Sequence, residues 1–303
     1  MAKKGNPING VLVLYKPSGP TSTDCLNQLK RQFRPRKIGH AGTLDPMAEG
    51  ILPVLFGKAT KLAPYIGSGF KIYKGEILLG KSTDTYDIQG TVTREADTAA
   101  ITEEQVASEI DFWHKLTSQE VPAYSAAKHK GKPLYALKRS GQEVPEKTKE
   151  ISIFRARILE MDLPRITFRV CCSPGTYIRS LAHSLGNRLG CGAVLTALTR
   201  ECTHPFTLDQ SIGLEEVLEK DVVKHLIRLR DCLPDWTQYK LSSESSRMVE
   251  NGASLPVSTT PGFSGNEGEK AVLLDPEGRT LAIVQARETD GQLRWAILRG
   301  LWT

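Results

Sequence analysis

Between Gly39 and Gly50 the chain reads Gly-His-Ala-Gly-Thr-Leu-Asp-Pro-Met-Ala-Glu-Gly, placing His40, Asp45 and Glu49 among three glycines. Pro46 pushes the backbone of Asp45 toward extended or turn geometry. The small neighbours let a bulky ligand approach the main chain. A carboxylate displayed in this way can serve as a nucleophile or a base. It can equally build an Asx-type turn ahead of Pro46, and the local physics leaves both roles open.

Other chemistries are poorly served. Gly57-Lys58-Ala59-Thr60 resembles the end of a phosphate-binding loop, but Leu52 stands where its first Gly is needed and Ala59 where Ser or Thr must follow the Lys. No dinucleotide-binding Gly pattern or nucleophile elbow is present, so no nucleotide cofactor is expected. The six histidines show no metal-ligand spacing. None of the six cysteines (Cys25, Cys171, Cys172, Cys191, Cys202, Cys232) makes a C-x-x-C pair. Reduced, mostly buried thiols in a cytoplasmic protein without metal are expected.

The elements that must hold the 39–50 loop can be read from periodicity. Gly10 to Tyr15 is an apolar run consistent with a buried strand. Ser22 or Thr23 is placed to cap a helix that uses Leu26, Leu29 and Phe33 and stops before Pro35. Phe70 to Gly80 reads as a strand with Tyr73, Ile77 and Leu79 on one face. Thr102-Glu-Glu-Gln105 is a capping box ahead of Val106, Ile110 and Trp113. Pro133 opens a short basic helix that Gly141 ends. Glu150 to Leu163 and Ile166 to Cys172 are strands, and Ser173-Pro174 is expected to open a helix buried through Ile178, Leu181, Ala182, Leu185 and Leu189. The irregular order of strands and helices predicts an α+β fold, with a mixed, largely antiparallel sheet and flanking helices. From residue 237 to 303 short strands, turns at Asp275–Gly278 and Asp290–Gly291 and a capped helix at Ser242 or Ser243 predict a small β-rich second domain after a 1–236 domain.

With 303 residues, 40% hydrophobic and 24% charged, the composition is that of a globular protein. No apolar run reaches membrane-spanning length, and the basic N-terminus lacks the apolar stretch of a signal peptide. The net charge of +6 is unevenly spread. Residues 1–40 hold eight Lys/Arg against Asp24 alone, and 128–149 hold seven against Glu143 and Glu146. Two basic stretches about an acidic Thr102–Asp111 segment suggest a positive face for a polyanion, although each alone is also ordinary solvated surface.

Several co-linear segments resemble the motifs of TruB-type tRNA pseudouridine synthases. They are Gly39-His-Ala-Gly-Thr-Leu-Asp-Pro46 with Ala48-x-Gly50, Asn9-Gly-Val-Leu-x-x-x-Lys-Pro17 followed by Thr21-Ser22, and Phe70-Lys-Ile-Tyr73. Ser82-Thr-Asp-Thr-x-Asp87-x-x-Gly90 and Ser173-x-Gly-Thr-Tyr-Ile-Arg179-Ser complete the series. The resemblance covers about residues 8–235, and the tail resembles a PUA domain, an RNA-binding module, more weakly. Tyr15 departs from the acidic residue common in relatives, without bearing on a catalytic role.

The resemblance implies isomerisation of uridine to pseudouridine at position 55 in the TΨC loop of tRNA, with no cofactor and no metal. It implies Asp45 as the essential carboxylate, attacking C1′ or abstracting a ribose proton, and Arg179 as its bidentate partner. Tyr73 matches the tyrosine that stacks on the target base. His40, Lys16, Asp87, Tyr177, Lys128, Lys130 and Lys132 are the expected RNA contacts, with His40 beside the extruded base; Lys16-Pro17 alternatively supports the active-site loop, and Asp87 either reaches the base edge or, with Asp84, builds the turn before Gly90. Residues 123–150, with cations interleaved among aromatics, resemble the family's insertion that closes over the tRNA T-stem loop. The expected partner is tRNA, bound by a monomer. A guide-RNA-dependent synthase and a non-catalytic tRNA-binding or tRNA-folding protein are the alternatives; the basic insertion favours a stand-alone enzyme.

Overall fold

The computed structural model describes residues 5–263 and 265–302. Lys3 and Lys4 of the N-terminal basic stretch lie outside them.

In chain order the elements that matter for the site are β1 (Gly10–Lys16), α1 (Ser22–Phe33), β2 (Ile38–His40), β3 (Glu49–Phe56) and β4 (Lys71–Leu79). They continue with α2 (Glu103–Phe112), β5 (Ile153–Asp162), β6 (Arg165–Cys172), α3 (Ile178–Arg188) and β7 (Ala193–Thr203). One nine-stranded sheet runs β5-β6-β4-β7-β3-β1 and ends on the two-residue strand Ile212–Gly213, with β2 paired to β3 and Phe206–Thr207 paired to β7. The β7–β3 and β1–Ile212 pairs are parallel and the others antiparallel. This is the mixed, largely antiparallel α+β architecture expected from the sequence.

Period-two alternation builds the sheet. Along β4, Lys71, Tyr73, Gly75, Ile77 and Leu79 turn inward, and along β6 Ile166, Phe168, Val170 and Cys172 do so. Gly75 is required because the Phe168 ring occupies the space beside it; a Cβ there would lie 2.6 Å from Phe168 Cζ. Helices α1, α2 and α3 close this face, with Leu29, Val106, Ile110, Leu181 and Leu185 fully buried on the sheet residues. Trp113, just after α2, meets Phe168 edge to face at 5.2 Å.

Two helix starts differ from expectation. Thr21, rather than Ser22 or Thr23, caps α1, because Thr21 Oγ1 and the Asp24 carboxylate accept from each other's backbone N–H, while the Ser22 hydroxyl is used on Leu44 of the 39–50 loop instead. The helix predicted from Ser173 begins only at Ile178. Ser173–Thr176 closes as a turn, with Thr176 Oγ1 donating to the Ser173 carbonyl and Gly175 at φ +80°.

A second, five-stranded sheet contains β8 (Thr237–Lys240), β9 (Lys270–Leu274), β10 (Thr280–Thr289) and β11 (Gln292–Gly300), with Leu255–Pro256 paired to β11. The parallel β8–β9 pair was not legible in the sequence. Trp295 is fully buried in this sheet's own core and donates its indole N–H to Thr260 Oγ1 at 3.0 Å. The other side joins the large sheet: Val272, Leu274, Ile283 and Leu301 pack in one apolar cluster with Val11, Val13, Ile51 and Leu55. No helix among the described residues is long and apolar enough to cross a membrane.

Candidate active site

Asp45 stands on the loop between β2 and β3, and that loop is held by its carbonyls. Arg200 of β7, 1% exposed, donates from Nη2 to Gly42 at 2.9 Å, from Nη1 to Thr43 at 3.4 Å and from Nε to Ile51 at 2.7 Å. Ser22 Oγ donates to the Leu44 carbonyl and accepts from the Leu44 N–H. Ser18 Oγ donates to Met47. Lys16 Nζ donates to Pro17 at 2.8 Å, Pro46 at 3.2 Å and Ala48 at 2.7 Å. Leu44, Met47 and Ala48 anchor the loop in the core. Gly50, at φ +100°, passes so close to β7 that a Cβ would lie 2.3 Å from the Arg200 carbonyl oxygen. The result is a carboxylate on a preorganised support, itself about one-third exposed.

Arg179, the second residue of α3, meets that carboxylate bidentately. Its Nε donates to Asp45 Oδ2 at 2.8 Å and its Nη2 to Asp45 Oδ1 at 3.1 Å. The remaining N–H groups reach the Thr85 carbonyl at 2.8 Å, the Tyr124 carbonyl at 3.0 Å and, as an ion pair at 3.5 Å, Asp87 Oδ2. Arg179 is therefore a buried, fully engaged guanidinium rather than the surface residue its position off the apolar stripe allowed.

The cleft above this pair has a volume of about 450 Å³ and is walled by His40, Lys71, Tyr73, Tyr177, Arg179 and Arg200. Tyr73 is buried; loss of solvent pushes its phenol pKa up, opposed by the nearby Arg200 guanidinium, so the phenol stays protonated at neutral pH. His40 is half-buried, and burial followed by the charge of Arg200 lowers its pKa, which favours the neutral imidazole. Its Nδ1 is buried and has no hydrogen-bond partner among the described residues.

Two expected RNA contacts are corrected by the structure. Lys16 is fully buried with its three donors spent on loop carbonyls, so it cannot reach a phosphate; it is a support of the Asp45 loop. Asp87 does not reach out to a base edge. It is 6% exposed, accepts from Thr85 Oγ1 at 2.7 Å and the Gln89 N–H at 3.1 Å, and faces Arg179. Tyr177 lines the cleft and packs against Leu134 and Leu137 of the insertion and against Val121 just before it. Lys128, Lys130 and Lys132 are exposed on a tight hairpin of that insertion, outside the cleft walls. The insertion nevertheless touches the site directly, through the Tyr124 carbonyl on Arg179, and just before it the Glu120 carbonyl accepts from Ser180 Oγ.

Sequence reasoning missed Arg200 and Lys71. Lys71 is 6% exposed, donates to the Gly67 carbonyl at 3.2 Å, and is pushed down to about 8, first by burial and then by Arg200. A lysine whose folded pKa lies below its ordinary value penalises folding while it is charged. That penalty is fully present below pH 8 and fades between pH 8 and the model-peptide value of 10.5. The shift corresponds to about 3 kcal/mol. Lys71→Met is therefore expected to raise the melting temperature by several degrees at pH 7, with the advantage shrinking as pH rises past 8; a lower melting temperature at pH 7 would contradict this. The cleft thus retains a cation that the fold itself disfavours, as a site for an anionic ligand would.

Comparison with known proteins identifies the family of this chain. The profile described as TruB family pseudouridylate synthase (N terminal domain) matches residues 30–178. The tRNA pseudouridine synthase B of Oleidesulfovibrio alaskensis is 50% identical over 299 residues, covering 97% of this chain and 96% of that protein. That of Nitratidesulfovibrio vulgaris Hildenborough is 48% identical over 303 residues, covering 97% and 98%. Among solved structures, a Cbf5-Nop10-Gar1 complex aligns with a TM-score of 0.74 at 22% identity, covering 97% of this chain and 85% of that one. An H/ACA RNP bound to a substrate RNA aligns at 0.71 with 20% identity, covering 97% and 85%; at these identities the likeness is one of fold.

Proposed function

The chain belongs to the TruB family of pseudouridylate synthases, and on that premise we propose that it isomerises uridine to pseudouridine at position 55 in the T loop of tRNA, with Asp45 as the essential carboxylate. The observation that carries this reading is the bidentate Asp45–Arg179 pair at the floor of a cleft walled by Tyr73 and His40. A stacked uridine cannot enter such a cleft, so the nucleotide flips out, at a cost of about a few kcal/mol in lost stacking. Tyr73 supplies the aromatic face for the flipped base, with the neutral His40 imidazole beside it. Arg179 fixes the plane of the Asp45 carboxylate, so that one oxygen edge meets the sugar whether it attacks C1′ or takes a ribose proton. Asp87 and the Thr85 and Tyr124 carbonyls hold Arg179 in turn.

Residues 123–150 close over the T-stem loop in this reading, with Lys128, Lys130 and Lys132 on its phosphates and Tyr177 linking the closed insertion to the cleft. Residues 237–303 act as a PUA-like RNA-binding domain beside the 1–236 catalytic domain. The protein works as a monomer in the cytoplasm without cofactor or metal. The test is incubation of the pure protein with an unmodified tRNA transcript and no guide RNA. Stoichiometric conversion of uridine 55 is expected; tRNA binding without conversion would refute the proposal.

A further inference from the structure

The large sheet is covered unevenly. Helices close one face over its length, whereas the second sheet covers the other face only around β1 and β3. Over β5, β6 and β4 that outer face stays open, with Lys74, Arg155 and Arg157 exposed and Phe154 58% exposed. Its register is unusual. Arg157 lies directly opposite Arg169, and Arg169 directly opposite Lys74, so three cations form one row across three strands. Arg155 stands two residues along β5 from Arg157. Like charges placed opposite each other on a sheet face destabilise it. Only Arg169 has an acid to offset it, Glu201, at 2.7 Å. The other acids of this face lie further along the strands, Glu76 engaged by Arg165, Glu160 opposite Thr167 and Asp162 opposite Arg165. Lys74, Arg155 and Arg157 have no ion pair among the described residues.

Aromatic faces stand beside the row. The strand irregularity between Ile153 and Arg155 turns Phe154 outward. Phe70, 37% exposed, lies over His204 with ring centres 4.7 Å apart. Phe70, Phe154, Arg155, Arg157, Arg169 and His204 border one cleft of about 680 Å³. Unpaired cations for phosphates together with open rings for bases are the two parts of a single-stranded nucleic-acid surface. It backs onto the catalytic cleft across the sheet: Lys71, Tyr73 and Cys172 face inward, while Ile72 and Cys171 border the outer cleft. One flipped loop cannot occupy both.

We propose that this outer face is a second RNA-binding surface, holding an unpaired segment of the substrate tRNA that lies outside the T-stem loop. The proposal rests on the tRNA reading above, and it accounts for a row of like charges that the fold alone disfavours. Equilibrium binding of the full-length chain and of a Lys74→Ser/Arg155→Ser/Arg157→Ser variant is compared on an unmodified full-length tRNA transcript and on an isolated T-stem-loop RNA. The variant is expected to lose at least tenfold in affinity for the full-length tRNA. Its slope of log affinity against log salt should shrink by about 2, as three cations on a single strand contribute. Its affinity for the stem-loop should move less than twofold, and its melting temperature should stay level or rise as the repulsion is relieved. Phe154→Ala should repeat the selective loss with the salt slope unchanged. Unchanged affinity for full-length tRNA, or an equal loss on both RNAs, would overturn the proposal, as would a melting temperature that falls with the affinity. If the parent protein fails to convert either RNA, the synthase reading fails instead, whatever the variant binds.

Discussion

Asp45→Asn is expected to reduce uridine conversion by about 10²–10⁴-fold or more, the lower bound being what loss of a general base costs, while tRNA affinity changes less than threefold. The substitution keeps the shape of the side chain. Its remaining carbonyl oxygen can still accept one Arg179 bond, but the amide meets a second guanidinium N–H donor to donor, so the bidentate pair becomes single. The surrounding loop does not depend on the carboxylate, because Arg200, Lys16, Ser18 and Ser22 grip its carbonyls. Binding persists because the proposed phosphate contacts lie elsewhere, and because one negative charge is removed from a site that takes an anionic polymer. Single-turnover conversion of a labelled tRNA together with filter-binding affinity checks both halves. Conversion retained within tenfold of the parent would remove Asp45 from the chemistry.

The contrast between what could and could not be read beforehand has physical causes. Alternation located β4 and β6, and the segments around Asp45, Tyr73 and Arg179 marked three side chains that the fold brings to one cleft. Lys71 and Arg200 carried a signal that went unused. Lys71 shares the strand face of Tyr73 and Ile77, and Arg200 that of Leu198 and Cys202, so period-two geometry aims both inward. An inward-facing cation on a core strand must be paired, hydrogen-bonded or functional, and that rule would have singled them out. For Lys16 the supporting role, and not the RNA contact, is the one the fold uses. A charged residue near a motif looked available to RNA, but a lysine at the end of a fully buried strand serves the loop carbonyls that surround it. The Thr85 and Tyr124 carbonyls could not have been found at all, since backbone acceptors have no residue type.

The Tyr124 carbonyl gives the insertion a part in the site. Tyr124 belongs to the segment that also carries Lys128, Lys130 and Lys132, and its carbonyl completes the shell of Arg179. Any movement of the insertion on binding RNA therefore changes the number of acceptors around the guanidinium that orients Asp45. In the proposed mechanism the exposed lysines and the Asp45 carboxylate are connected through one residue, Tyr124, rather than through a long chain of contacts.

Arg179 is accordingly the position where both stability and turnover are most exposed. Arg179→Ala leaves the Asp87 carboxylate, 6% exposed, without its cation, and the Thr85 and Tyr124 carbonyls without a donor. Breaking a buried charge pair from one side costs about 3–5 kcal/mol, which for a chain of this size lowers the melting temperature by about 10 °C. The deficit should depend on pH with a definite sign. Burial already raises the Asp87 pKa, and Arg179 is among the groups that oppose the rise. Removing Arg179 raises it further, so the ionised carboxylate is penalised more at neutral pH, and the added penalty vanishes once the group is protonated in both the folded and unfolded states. The variant should therefore lie closer to the parent at pH 4 than at pH 7.5 in parallel melting curves. Arg179→Lys keeps the charge but not the planar fork, and one ammonium cannot serve Asp45 bidentately while also reaching Thr85 and Tyr124. It should recover part of the melting temperature at pH 7.5 and little of the conversion rate. Full recovery of turnover by the lysine variant would show that charge alone, and not the orientation imposed by the guanidinium, is what Asp45 requires.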